Sequence, residues 1–300
     1  MTRQLPRQAI VFVIIVLTFG VLVILTSLRN ATSLTHKEVI TLILLTLTVF
    51  LTDTYRVELT FKGDLKLCMS TVATFGAVIL FPKQCSIVAI GALAADILLR
   101  QPLIKSSFNW GQWAIATGVS GYVWYKLREH IETVSDASYF FEPRNIAVVI
   151  LTAIVFLLIN VSLVITIVSI VNNLRFTYLL KNGLSGIVTQ LLIQPALGLL
   201  IAVLYTLNPL SIVLVMSPLA AVYYSLRNFE NFRKQTLETI ERLSDILDKR
   251  DPQTDQHSRR VAHYVRLICE ELNLPSEVVE TIVSAARVHD LGKIGIPDAV

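Results

Sequence analysis

Apolar runs with little or no charge alternate with short polar interruptions through residue 226, after which the pattern becomes sparser and helix-periodic. The runs cover 9–28, 39–52, 67–82, 84–99, 106–125, 146–173 and the unbroken 182–226. Ala9 to Leu28 carries no charge in 20 residues, enough for a helix to cross a hydrocarbon core of ~30 Å. It is long for a signal-peptide core and lacks a small-residue cleavage site, so it reads as a retained span. The last run is long enough for two spans, and Asn208-Pro209 supplies the turn between them, because proline cannot continue a helical hydrogen-bond ladder. Eight apolar helices are predicted, those at 39, 67 and 84 being short for a bilayer.

From Ser225 the register changes. In "SLRNFENFRKQTLETIERLSDILDK" apolar residues fall at 226, 229, 232, 237, 240, 243 and 247, the spacing of an amphipathic helix leaving the membrane. Pro252 interrupts it, and Thr254 is placed to cap a helix whose Val261, Tyr264, Val265, Ile268 and Leu272 line one face. Pro275-Ser276 opens a further helix to about Val288, and Gly292, Gly295 and Pro297 close it. The chain therefore reads as all-α: a polytopic transmembrane helical bundle of about eight spans over 1–224, a connector helix over 225–249, and the beginning of an all-helical domain over 250–300.

Composition agrees with a membrane protein. Hydrophobic residues make up 54%, charged residues 16%, and mean hydropathy is +0.64, outside the range of ordinary soluble domains. Residues 1–224 hold 15 Lys and Arg against 9 Asp and Glu, and residues 225–300 hold 11 against 13. The water-facing end is thus slightly acidic, with no basic stripe and no interleaved aromatics, which excludes a nucleic acid polymer as partner. With the N-terminus inside, segments assigned to the inner side carry twelve Lys and Arg and outer loops carry six. That bias puts both termini of a multi-pass membrane protein in the cytoplasm. Cys68, Cys85 and Cys269 have no metal-like or disulfide spacing.

The chemistry concentrates near the end, in "RDPQTDQHSRRVAHYV" and "AARVHDLGKIGIPD". Two antiparallel helices can bring His257 to the adjacent His289 and Asp290, and nitrogen with carboxylate ligands suits iron or manganese. Lys293, just beyond, would place a cation where a phosphate oxygen can sit. These motifs closely resemble the HD-GYP family of HD metal-dependent phosphohydrolases, from roughly Leu237 onward. The resemblance implies an all-helical HD domain that hydrolyses cyclic di-GMP to the linear dinucleotide or to GMP with two or three divalent metals. It makes His257, His289 and Asp290 metal ligands, with Asp290 bridging, and puts Lys293 on the scissile phosphate. Some members place a metal-binding Glu where this chain has Gln253, so two metals are expected here. Members also carry further His ligands, a closing Asp and a Gly-Tyr-Pro loop that these 300 residues lack. His36 and His130 fall in outer loops, and His263 lies about 240° round the helix from His257. The chain is accordingly expected to be a piece of a longer enzyme and inactive alone.

The apolar half is similar to polytopic input modules found ahead of bacterial signalling output domains, with no ligand identified. Polar groups at membrane depth mark its candidate site: Asp96, Asn109, Gln112, Asn160, Gln190 and Gln194. Asp96 can instead pair with Arg100 one turn on, and the amides can line a cavity or tie helices together. Three functions stay open: a receptor controlling a cyclic di-GMP phosphodiesterase, homodimeric through its connector helix; an HD hydrolase for another nucleotide; and a non-catalytic sensor or transporter with an HD appendage. No inverted repeat supports transport.

Overall fold

The computed structural model describes residues 5–55, 70–128, 137–208, 211–250, 257–272, 274 and 276–292. Among them there is no strand. The α-helices are α1 (Arg7–Ala31), α2 (His36–Thr54), α3 (Ser70–Leu80), α4 (Ala89–Leu98), α5 (Leu103–Leu127), α6 (Pro143–Asn172), α7 (Phe176–Leu207), α8 (Ile212–Arg250), α9 (His257–Glu271) and α10 (Ser276–Val288). Single 3-10 segments stand at Cys85–Val88 and Ala137–Phe141. The chain forms two compact units, Met1–Tyr223 and Tyr224–Val300, with the division inside α8.

In the first unit, α2 shows how a threonine-rich sequence becomes an apolar helix. Thr35 and Glu38 form a capping box: the Thr35 amide donates to Glu38 Oε2 at 2.7 Å, and the Glu38 amide donates to Thr35 Oγ1 at 3.4 Å. Along the helix Thr41, Thr46, Thr48, Thr52 and Thr54 each return their hydroxyl to the carbonyl four residues back. Their polar atoms are satisfied within the segment, as a low-dielectric setting demands.

Helix pairs approach closely where glycine permits. A Cβ on Gly20 of α1 would lie 2.6 Å from Gly111 Cα of α5, so these backbones cross in contact. A Cβ on Gly91 would collide with the Thr46 carbonyl, which fixes α4 against α2. Helix α3 is buried along its length and packs on α7, where Gly198 accommodates Phe75. The core gathers Leu45, Val49, Phe75, Val78, Trp124, Phe140 and Ile201. Buried Trp124 donates its indole N–H to the Ile79 carbonyl at 3.0 Å. Asn208 ends α7 and α8 resumes at Ile212, matching the predicted break; Pro209 lies outside the described residues.

Two described helices, α1 and α6, are long and apolar enough to cross a membrane. Their 25 and 30 residues extend about 37 and 45 Å at 1.5 Å per residue. Helices α3 and α4, with 11 and 10 residues, reach only about 15–17 Å. The outer faces of α1 and α6 expose Val11, Ile14, Phe19, Leu22, Leu25, Ile150 and Leu158, a broad apolar surface of the kind that lipid or another apolar partner covers.

The second unit holds the C-terminal part of α8 with α9 and α10, the last two packed together. The buried side of α9 is made by the small residues Ser258, Ala262 and Cys269. The larger apolar face read from the sequence is turned outward instead, with Tyr264, Ile268 and Leu272 60%, 58% and 64% exposed. Small side chains let α9 approach its neighbours closely, which a pattern of large apolar residues does not reveal.

Candidate metal centre

The beginning of α9 and the turn after α10 meet. His257 is the first described residue of α9, and His289-Asp290 follow the end of α10 at Val288. One ligand atom from each of His257, His289 and Asp290 lies within 4.8 Å of the other two. His257 Nε2 is 3.9 Å from Asp290 Oδ2, His289 Nε2 is 3.4 Å from Asp290 Oδ1, and the imidazole centroids are 5.5 Å apart. The two oxygens of one carboxylate thus face two different imidazoles, an arrangement able to chelate one ion or to divide between two.

A local hydrogen bond orients His289. Its Nδ1 stands 2.9 Å from the Ala286 carbonyl. A carbonyl oxygen only accepts, so the ring proton belongs on Nδ1 and the Nε2 lone pair is left facing Asp290. Outer hydrogen bonds of this kind fix the tautomer of metal-binding histidines. The side chains of His257 and His289 are each 40% exposed and that of Asp290 20%, so the cluster is open to solvent. Two imidazoles and a carboxylate fit a divalent transition metal such as iron or manganese. Ligand atoms bonded at ~2.0–2.2 Å to one ion stand roughly 3–4 Å apart, close to the spacing present.

Beside these three residues is a second set of groups that the sequence motifs did not mark. Asp245 of α8 accepts from Arg259 Nε at 3.2 Å and Nη2 at 2.6 Å, and from Arg287 Nη2 at 3.1 and 3.3 Å. The adjoining Ser244 donates to the Arg287 carbonyl at 2.7 Å and lies 3.4 Å from Ser258 Oγ. In sequence Asp245 is one more acid on the polar face of a charged helix, and no spacing rule connects it to residues 14 and 42 positions on.

Lys293, Thr254 and Gln253 lie outside the described residues, as do the side chains of Gln190 and Gln194 within α7. The other polar candidates of the first unit tie helices together. Asn109 donates to Asp96 Oδ2 at 3.1 Å, joining α5 to α4, and Gln112 donates to Asn160 Oδ1, joining α5 to α6. Asp96 is 1% exposed, and the partner shown beside it is Asn109. Arg100 takes a left-handed backbone, φ 51°, where α4 has ended. Asp53 is a buried carboxylate in the last turn of α2.

Comparison with known proteins adds identity to this geometry. A sequence model of the HD domain matches residues 254–300. Over 75 residues the chain is 37% identical to the cyclic di-GMP phosphodiesterase response regulator RpfG of Xanthomonas campestris, covering 25% of this chain and 20% of that protein. It is 39% identical over 72 residues to a cyclic di-GMP phosphodiesterase of Thermotoga maritima, covering 24% and 19%. With a probable cyclic di-GMP phosphodiesterase of Vibrio cholerae the identity is 36% over 66 residues, covering 19% and 15%. The chain thus spans a fifth or less of the curated relatives it matches. No solved structure is significantly similar to it. The model of MASE9, a membrane-associated sensor module, matches residues 10–233. By that match, which takes in most of its length, the chain belongs to the MASE9 family, and it carries HD-domain sequence over residues 254–300.

Proposed function

We propose that the protein is a bacterial membrane receptor in which the sensor module over 1–224 governs, through the helix over 225–249, a metal-dependent phosphodiesterase that hydrolyses cyclic di-GMP. The observation that carries this reading is the convergence of His257, His289 and Asp290, in a segment that matches the HD domain and in a chain whose relatives bear that activity in their names. Those three residues would hold two divalent metals, iron or manganese, with Asp290 shared between them. Bound there, the metals supply Lewis acidity toward a phosphodiester. The chain's own part is to present the Nε2 lone pair of His289, held by the Ala286 carbonyl, and to keep the ligands open to a nucleotide. Lys293 contacts the scissile phosphate.

The membrane arrangement belongs to the same proposal. Helices α1 to α8 form about eight spans of a multi-pass inner-membrane protein with both termini cytoplasmic. Whether α3 and α4 each cross or return as a half-length pair, the parity stays even. Phe229, Phe232, Leu237, Leu243 and Ile246 are exposed along α8, and they offer the seam for a homodimer. The test is to load the purified full-length protein with Mn2+ or Fe2+ and supply cyclic di-GMP, cyclic GMP-AMP and ordinary nucleotides. Preferential loss of cyclic di-GMP, abolished by Asp290→Asn, supports the reading. Stoichiometric metal with another preferred nucleotide replaces the substrate, and no bound metal removes the enzyme.

A further inference from the structure

We propose that Asp245 is a positioning residue of the metal centre: by bridging Arg259 and Arg287 it sets the spacing between the two ligand-bearing segments, which makes the end of α8 the control arm of the site. The inference rests on the metal-binding reading above.

Position in sequence is the first argument. Arg259 lies two residues after His257, and Arg287 lies two residues before His289. A single carboxylate holds both guanidinium groups at 2.6–3.3 Å. Charge-assisted pairs of this kind are short and directional, and a guanidinium fork fixes orientation as well as distance. Without the shared anion the two cations repel, and α9 and α10 lose the group that draws the beginning of one to the end of the other.

The second argument is the backbone. Carbonyls in the last turn of a helix have no partner within it. At the end of α10 two consecutive carbonyls find one elsewhere: Ala286 accepts from His289 Nδ1, and Arg287 accepts from Ser244 Oγ of α8. The peptide that orients the ligand ring is therefore next to the peptide that α8 holds. Ser244 and Ser258 are buried against each other, so residues 244 and 245 together grip residue 258, residue 259 and residue 287. None of these supplies a ligand atom to the cluster. A small rotation or slide of α8 is therefore transmitted directly to the segments that bear His257 and the His289-Asp290 pair.

The test uses the full-length protein in detergent micelles, titrated with Co2+ and followed by its d–d absorption and by competition with a chromophoric chelator. Circular dichroism reports the fold. Asp245→Asn is expected to weaken Co2+ binding by roughly 10–100-fold, the usual cost of removing an outer-shell partner, and to alter the d–d band while helicity is kept. Asp245→Glu should recover part of both. In an Arg259→Ala, Arg287→Ala background, removing Asp245 should change nothing further. Wild-type affinity and an unaltered band in Asp245→Asn overturn the proposal and leave a purely structural clamp. If that variant does not fold, Asp245→Glu decides by the same two readouts. If the wild type binds no Co2+, the metal reading itself fails, and this inference falls with it.

Discussion

His289 uses its two ring nitrogens differently: Nδ1 is committed to the Ala286 carbonyl and Nε2 faces Asp290. That division makes His289→Ala and Asp290→Asn more damaging than loss of any outer residue. Each should weaken metal binding by more than about 100-fold, the upper end for outer-shell changes, as read by metal content after gel filtration. His263→Ala should leave metal content unchanged, because that ring is exposed on α9, beside Tyr264, and outside the cluster. The three candidate ligands stood out in the sequence because only 5 histidines occur in the chain and two of them fall in a recognisable order with an aspartate. Asp245, Arg259 and Arg287 were not, since surface-type charges look alike until folding brings three helices to one point. Lys293 was picked from the same motif, lies outside the described residues, and its part stands as a proposal.

Among the elements, helix positions followed from apolar runs and helix contacts did not. The break at Asn208 was visible as Asn-Pro, and the end of α10 near Val288 was visible from the glycines beyond it. The crossing of α1 and α5 was not, because it depends on Gly20 meeting Gly111. Gly111→Val should overpack that crossing and cost about 1–3 kcal/mol, measured as a lower melting temperature in detergent. The bond from Gln112 to Asn160 permits a double-mutant cycle between α5 and α6. Leucine at both positions is expected to be less destabilising than the sum of the single changes, with a coupling of about 0.6–1.7 kcal/mol. Strict additivity in thermal denaturation would show that the two amides act separately. Span count was the least legible property at this scale, since α3 and α4 carry span-like composition over half the necessary length.

The whole molecule joins an apolar unit to a charged, slightly acidic unit. Metal at a hundred times its Kd should stabilise the second unit by about 2.7 kcal/mol through binding linkage, so a chelator should lower its unfolding midpoint and leave the first unit's transition in place. A cysteine at Leu237 should give disulfide-linked dimers in membranes; monomer alone on oxidation would count against pairing through α8. The clamp at Asp245 also has a consequence for descent. It takes one acid and two bases, one residue from each of α8, α9 and α10, and no member can change sign alone without leaving like charges in contact. Lineages that depart from this arrangement should therefore exchange positions 245, 259 and 287 together, while the flanking surface charges of α8 drift independently.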